Sequence, residues 1–417
     1  MRYFLYNALW RAAAPVLRRR LSRESATLPL LERFQPELPP LGDAPVWVHA
    51  CSVGEVNTAL PFLKAAQEHF GAARVLLTTS TATGRERAHQ AAGVPSAYFP
   101  FDHPRSVRTF LDAVRPRALV LVETELWPNV LRECARRDIP VAVINGRISE
   151  KHFKRYQRLR GLTRGMFRSL GTVGAQSQEH ADRFIALGAD AAWVRVTGNL
   201  KFDAAPLDVP QMQRSRIRAS CGIPEQAPLL VFGSTRPGDE ALASACWATL
   251  REEVPGLHMV IAPRHVERRD EVLAHFGEPV LLRSLAREGH PLSGERVVLV
   301  DTMGELTQFY AAATLAVVGG SFYPGVEGHN PLEPAALGAA PVFGPYMKNF
   351  AEAARMLLEA DAAVQVPCAE DLYGVLSAQL RDTAALRQRG TRARRVVLDN
   401  QGAARRNLEI VKELLGE

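Results

Sequence analysis

Glu55 follows the apolar run Trp47-Val-His-Ala-Cys-Ser-Val-Gly54 and precedes a helical pattern, NTALPFLKAAQEHF. An acid there has an ordinary use, as a negative group beside the positive end of a helix. It also has a chemical use. A carboxylate at the end of a strand can take a proton from an attacking hydroxyl. A second pair of carboxylates stands in Glu123-Thr-Glu125-Leu-Trp-Pro-Asn129, again directly after an apolar run. Carboxylates there are costly unless solvated, paired or functional. Asn145-Gly-Arg147-Ile-Ser149 ends the next run, and its guanidinium fork suits phosphate or carboxylate. The turn Thr78-Thr-Ser-Thr-Ala-Thr-Gly-Arg85 offers hydroxyls and amides for an anion, or simply caps a helix.

The second half has its own set: Ser234-Thr235-Arg236, Arg264-His265, Asp301-Thr-Met-Gly304-Glu305-Leu306, Gly319-Gly-Ser-Phe322, and Gly328-His-Asn330-Pro-Leu-Glu333-Pro334. A glycine-rich turn before a helix can receive a phosphate on its amides, and a glutamate one turn further can bind ribose hydroxyls. A capping box between Asn330 and Glu333 is the plain alternative. No Walker loop, Gly-x-Gly-x-x-Gly or His-Glu-x-x-His occurs. No cluster demands a metal, and no cofactor is called for. The five cysteines are odd in number, scattered, and form no Cys-x-x-Cys, which fits a reducing compartment better than a disulfide framework.

These residues must be held by something. The chain has 417 residues, 47% apolar and 23% charged, enough for two or three ordinary globular domains. From residue 46 onward, short β-branched runs alternate with longer helical patterns. The runs are Val46–Ala50, Val75–Ser80, Ala97–Phe101, Ala118–Glu123, Val141–Asn145, Thr172–Ala175, Val194–Gly198, Leu229–Gly233, His258–Ala262, Val280–Leu282, Val297–Asp301, Leu315–Gly319, Pro341–Phe343 and Ala363–Val366. Runs without polar alternation predict buried parallel strands. The rhythm stops and restarts across Phe202–Pro228, which predicts a linker. The expected division is 1–23, a basic and apolar helix; 24–207, a first Rossmann-like domain; 208–383, a second; and 384–417, a terminal helix able to pack back across both. Two α/β domains of this kind are the layout of a GT-B fold, with ligands expected beyond the strands' carboxyl ends, in the cleft between the domains.

The net charge of +7 is uneven. Residues 1–23 hold six arginines and no acid; residues 147–168 hold eight bases and one acid; the remainder carries −6. The body is therefore mildly acidic, and two basic strips point to local anionic partners rather than to nucleic acid. The apolar stretch Tyr3–Leu17 is too short for an ordinary bilayer span, which needs about 20 apolar residues. On a helix, Phe4, Leu5, Leu9, Trp10, Ala13 and Leu17 fall near one face, which suits a helix lying on an anionic membrane, or one packed on the protein's own core. The strip Lys151–Arg168 reads as a solvated helix face or as the binding edge for an anionic acceptor.

WVHACSVGE, TTSTATG, YFPFD, ETELWPN, TGNLKFD, IAPRH, VDTMGELTQFYAAA, GGSF and GHNPLEP occur in this order. The set resembles the 3-deoxy-D-manno-oct-2-ulosonic acid (Kdo) transferases over about residues 1–365. The resemblance implies a GT-B glycosyltransferase with an N-terminal membrane-associated helix, an N-terminal acceptor domain and a C-terminal nucleotide domain. It implies transfer of Kdo from CMP-Kdo to a phosphorylated lipid A precursor with inversion, at the cytoplasmic face of the inner membrane. It matches Glu55 to the catalytic base. It places Arg264, Gly304, Glu305, Asn330 and Glu333 around CMP, Ser234 and Thr235 near its phosphate, Arg147 toward the acceptor and Glu125 in a supporting role. Two positions depart from the family pattern: Glu327 stands where members usually have glycine, and Gly146 where they often have alanine. A GT-B transferase using another nucleotide sugar is the nearest alternative.

Overall fold

The structure is a computed structural model that describes residues 2–23, 25–290 and 294–417. Every predicted run is a strand: β1 Val46–His49, β2 Val75–Thr79, β3 Ser96–Tyr98, β4 Ala118–Val122, β5 Val141–Gly146, β6 Thr172–Ala175, β7 Val194–Val196, β8 Leu229–Thr235, β9 His258–Pro263, β10 Val280–Leu282, β11 Val297–Leu299, β12 Leu315–Val318, β13 Ala340–Phe343 and β14 Val364–Gln365. They form two seven-stranded sheets, ordered β3-β2-β1-β4-β5-β6-β7 and β10-β11-β9-β8-β12-β13-β14. All neighbours are parallel. The chain divides into two compact units, Met1–Ala204 with Asn400–Glu417, and Ala205–Asp399.

The uninterrupted apolar runs follow from burial on both faces. In the first sheet, Trp47, Leu119, Leu121 and Val143 face one core with Phe99, Phe110, Phe167 and Phe184. Their strand neighbours Val46, Val48, Val120, Val122 and Ile144 face the other with Phe62, Leu63 and Leu408. Alternate residues go to opposite sides of a strand, and here both sides are dry. Truncating Trp47, fully buried in the first core, should cost about 3–5 kcal/mol. The terminal stretch forms two helices. Thr383–Asp399 belongs to the second unit, while Ala403–Leu414 completes the first unit's core with Leu408 and Val411. Asp203 fixes this return by accepting from the Gly402 and Ala404 amides, both at 2.6 Å.

Each sheet has one place where the chain changes direction across it: between β1 and β4, and between β8 and β12. At such a switch point the flanking loops diverge and leave a crevice at the strands' carboxyl ends.

The first helix, α1 (Arg2–Leu21), differs from its expected orientation. Trp10 and Leu17 turn toward the first unit rather than joining Phe4 and Leu9. Trp10 lies 6.0 Å from the Phe101 ring, and Leu17 packs on Ala14, Leu21 and Phe34. The Tyr6 hydroxyl donates to Asp102 at 2.8 Å, and the Asn129 amide group donates to Asn7 at 2.8 Å. Polar residues thus anchor the inner face, while Phe4, Leu9 and Val16 are about 70% exposed. The apolar content is split between two faces, one packed and one open. The side chains of Arg2 and Leu5 lie outside the described residues. Among the described residues, no helix is long and apolar enough to cross a membrane.

Candidate functional site

In the first unit, β1 runs directly into helix α2 (Val53–Phe70), whose N-cap is Ser52. Glu55 sits at the third helical position and caps the helix start in a variant of the capping box, through the amide of the residue before the N-cap. Its amide lies 3.4 Å from the Ser52 hydroxyl, and its carboxylate accepts from the Cys51 amide at 2.8 Å. The plain reading of Glu55 is therefore present in the geometry. It does not exhaust the residue. Burial pushes the Glu55 carboxyl up to about 8, reinforced by Glu123 and Glu125 and only partly offset by the Cys51 amide and Ser52. A carboxylate used only as a solvated helix cap has no reason to titrate so high. Glu55 is a half-buried acid whose proton is exchangeable near neutral pH.

Glu123 and Glu125 come from the end of β4, on the other side of the switch point. Glu123 takes a left-handed φ of 62°, turning the chain out of the strand. Burial raises Glu125 above the usual carboxylate range, with Glu123 adding to the shift. Arg147, at the end of β5, brings its guanidinium within 3.7 Å of the Glu123 carboxylate, and the Thr124 hydroxyl donates to the Arg147 carbonyl. Arg33 supplies a half-buried cation that no sequence motif announced. It donates to the carbonyls of Phe99 (2.9 Å) and Ser80 (3.2 Å) and lies over the Phe101 ring. Burial lowers it to about 10.

His49 is fully buried beside this group. Its Nδ1 lies 3.0 Å from the Thr78 carbonyl, so Nδ1 carries the proton and Nε2 is a bare acceptor with no partner among the described residues. Burial pulls it down to about 3, which keeps it neutral. The ligand-type atoms of His49, Cys51 and Glu125 lie within 4.8 Å of one another, the one such trio among the described residues. Burial holds the Cys51 thiol up at about 11, so it stays protonated. The trio thus pairs a neutral imidazole and a protonated thiol with a carboxyl whose pKa burial raises. The TTSTATG turn is a cap: Thr81 accepts from the Gly84 amide at 3.0 Å. In the second basic strip, Phe153, Tyr156 and Phe167 pack inward while Lys151, Lys154, Arg155, Arg158 and Arg160 are exposed.

In the second unit, the loops after β8, β9 and β12 converge. The Arg264 amide donates to the Thr235 carbonyl at 3.0 Å, and Thr235 is fully buried and donates its hydroxyl to Glu240 at 2.9 Å. Ser234 adopts a φ of 56°. The Arg236 guanidinium meets His329 at 3.4 Å. Burial, with the neighbouring charges of Arg236, Arg264 and His265, lowers His329 to about 4, so positive charge converges on this corner. Asn330 accepts from the Leu332 amide at 3.0 Å and donates to Glu333 at 3.3 Å. Burial raises Glu333 above its usual range. Glu305 is differently employed. Arg283 grips it through Nε and Nη at 2.9–3.3 Å, and Thr302 donates to it. These partners overcome the opposing effect of burial and lower its pKa. Gly304, with a φ of 83°, turns the loop before it. Gly304 and Glu305 lie after β11 and make no described contact with Ser234, Arg264, Asn330 or Glu333.

A family model described as 3-deoxy-D-manno-octulosonic-acid transferase (kdotransferase) matches residues 18–204. A 3-deoxy-D-manno-octulosonic acid transferase of Haemophilus influenzae is 31% identical over 90% of this chain and 88% of its own length. Its counterpart in Bordetella pertussis is 34% identical over 89% and 88%. This chain belongs to the Kdo transferases. Among solved structures, UDP-GlcNAc 2-epimerase of Neisseria meningitidis bound to UDP-GlcNAc superposes with a TM-score of 0.60, at 12% identity, over 88% of this chain and 99% of that one. That likeness speaks for the fold alone, which is GT-B. The protein is a glycosyltransferase.

Within the family's pattern, the Glu327 departure has a backbone consequence. Glu327 holds a left-handed φ of 65°, a conformation that glycine adopts freely and other residues at a cost of about 1–2 kcal/mol. Its side chain joins Lys348, Arg355 and Tyr346 around a surface depression. An added Cβ at Gly146 would stand 3.0 Å from the Phe184 ring, so the usual alanine requires that ring to shift slightly. Sequence reasoning missed Arg33 and His49 in the first unit and Arg236, Asp239 and His329 in the second. All but Arg33 and Asp239 stand in quoted motifs, and their position just after a strand was the available signal.

Proposed function

We propose that this Kdo transferase moves Kdo from CMP-Kdo to a phosphorylated lipid A precursor (lipid IVA), with inversion at the anomeric carbon and Glu55 as general base. The observation that carries the reading is Glu55 itself: a half-buried carboxylate beside the first switch point, held near 8 by burial and by Glu123 and Glu125. In its ionised form it accepts the proton of the attacking acceptor hydroxyl. The hydroxyl oxygen forms the new bond to the anomeric carbon as the bond from that carbon to the CMP phosphate oxygen breaks. One displacement inverts the centre, and no covalent enzyme intermediate forms. A base with a pKa near the working pH suits this transfer and contributes about 10²–10⁴-fold.

The departing charge sits on CMP. Ser234, Thr235 and Arg264 receive its phosphate in this reading, with Asn330 and Glu333 on the nucleoside; the positive charge of Arg236 and Arg264 beside the neutral His329 supports that assignment. Gly304 and Glu305 shape the loop after β11, with Glu305 acting through Arg283. Arg147 and Glu125 serve the acceptor side. The exposed Phe4, Leu9 and Val16, with the arginines of α1, support peripheral attachment to an anionic membrane, the cytoplasmic face of the inner membrane in lipopolysaccharide synthesis.

The test is incubation of the full chain with CMP-Kdo and a tetra-acylated lipid A precursor, followed by mass analysis. The expected product is heavier by one or more Kdo units. Preferential binding of UDP over CMP, with no Kdo transfer, would overturn the reading in favour of another nucleotide sugar.

A further inference from the structure

Asp239 opens the helix Asp239–Glu253 after β8 and is 2% exposed. One of its oxygens, Oδ2, accepts two backbone hydrogen bonds: from the Arg236 amide at 2.9 Å and from the Gly320 amide at 2.7 Å. Arg236 lies in the loop after β8 and Gly320 in the loop after β12, so a single oxygen joins the two loops that flank the second switch point.

The contacts on either side carry this further. Gly320 has a φ of 65°, and an added Cβ would stand 2.7 Å from Val326 and 3.0 Å from His329. The Gly320 carbonyl accepts from Gly328 at 2.8 Å, and the Gly319 carbonyl accepts from His329 at 3.2 Å. Through Gly320, Asp239 is therefore tied to the segment that carries His329, Asn330 and Glu333. Through Arg236 it is tied to the segment that carries Ser234 and Thr235, and Arg236 itself meets His329. We propose that Asp239 is a positioning residue for the donor nucleotide, setting the register of the two phosphate- and nucleoside-facing loops without touching the ligand. This rests on the proposed CMP site.

The ordinary alternative is an acid stabilising a helix start. Burial argues against it. It pushes Asp239 up to about 6, with Glu240 adding to the shift, while the Gly320 and Arg236 amides and the Arg236 charge oppose it. The other facing groups are Tyr323 from the β12 loop and Glu240, whose carboxylate is engaged by Thr235 and Arg268. The folded-state value lies above the ordinary one. The stability Asp239 contributes is therefore complete below about 4 and lost as pH rises through about 6. An ionised Asp239 is unfavourable for the fold, and a stabilising role alone does not account for it.

The experiment measures CMP binding to the full chain by calorimetry, with thermal unfolding of the same samples, for wild type, Asp239→Asn and Asp239→Ala. Near neutral pH, Asp239→Ala is expected to weaken CMP at least ~10-fold, and Asp239→Asn several-fold, because charge-assisted bonds to two amides are lost or weakened. The melting temperature of Asp239→Asn should equal or exceed that of wild type. At saturating donor, kcat stays within about twofold of wild type, the split expected when binding alone is affected. Below pH 6 the wild-type advantage over Asp239→Asn should shrink toward unity. The protonation of CMP itself cancels in that ratio. Equal CMP affinity in all three proteins overturns the inference and leaves the donor site standing. So does a loss of affinity in Asp239→Asn matched by a lower melting temperature and indifferent to pH. Wild type that does not bind CMP overturns the donor site and this inference together.

Discussion

The two units share one scaffold and carry different side chains at the same place. Both are seven-stranded parallel sheets with a single change of direction. At the first switch point the residues are Glu55, Glu123 and Glu125, and burial drives Glu55 up toward neutrality. At the second, Arg236, Arg264 and His265 surround His329 and help drive it down to about 4. Topology creates the crevice, and the loop residues decide its chemistry. A crowded set of half-buried carboxylates makes a proton acceptor. A set of cations and loop amides makes an anion site. In the proposed reaction the first set supplies the base and the second stabilises the departing phosphate.

The sharpest way to break the contrast is Glu55→Gln. It keeps the shape and removes the base, so kcat should fall about 10²–10⁴-fold while CMP affinity is unchanged. If transfer by Glu55→Gln matched wild type, the first unit would hold no base at that position. The pH profile sharpens the same point: kcat/KM of wild type should rise with pH through about 8. The folded-state value lies above the ordinary 4.5, so the stability tied to Glu55 is present below 4.5 and is lost as pH rises through 8. Glu55→Gln should therefore unfold at a higher temperature than wild type near pH 9.

The first unit also carries the open face of α1, the surface proposed to meet the membrane. Replacing Phe4, Leu9 and Val16 together by serine should weaken binding to anionic vesicles by roughly tenfold per residue, measured by sedimentation, with the melting temperature unchanged. Unaltered vesicle binding would return α1 to a purely packed role. In the second unit, Arg236→Ala should weaken CMP about tenfold, with stronger salt dependence in wild type than in the variant. The smallest effect belongs to Glu327→Gly. Relief of the left-handed backbone should stabilise the protein by about 1 kcal/mol in thermal unfolding.

Much of the scaffold was legible because its strands are buried on both faces. Trp47 and Val48 point to different cores, yet both must be apolar, so the strand shows as a run rather than an alternation. The carboxylates after β1 and β4 were legible for the same reason: charge directly after such a run stands out. Arg33 was not. It lies in the short 3₁₀ segment Ser25–Arg33, and its approach to the carbonyls of Ser80 and Phe99 is purely tertiary. The apolar residues of α1 suit a membrane or the protein's own core, and the sequence left that choice open. Tyr6 and Asn7, meeting Asp102 and Asn129, decide which face turns inward.

Composition, the order of the motifs and the spacing of apolar runs by themselves determined the two parallel α/β units and the family. These depend on side-chain character repeated along the chain. The tertiary structure alone decided that Glu55 titrates near 8 rather than near 4.5, that Glu305 is held by Arg283, and that Asp239 joins two loops 81 residues apart in its bond to Gly320. A pKa depends on burial and neighbouring charge, and a staple depends on what two distant loops bring together. Neither is written in any one segment of the chain.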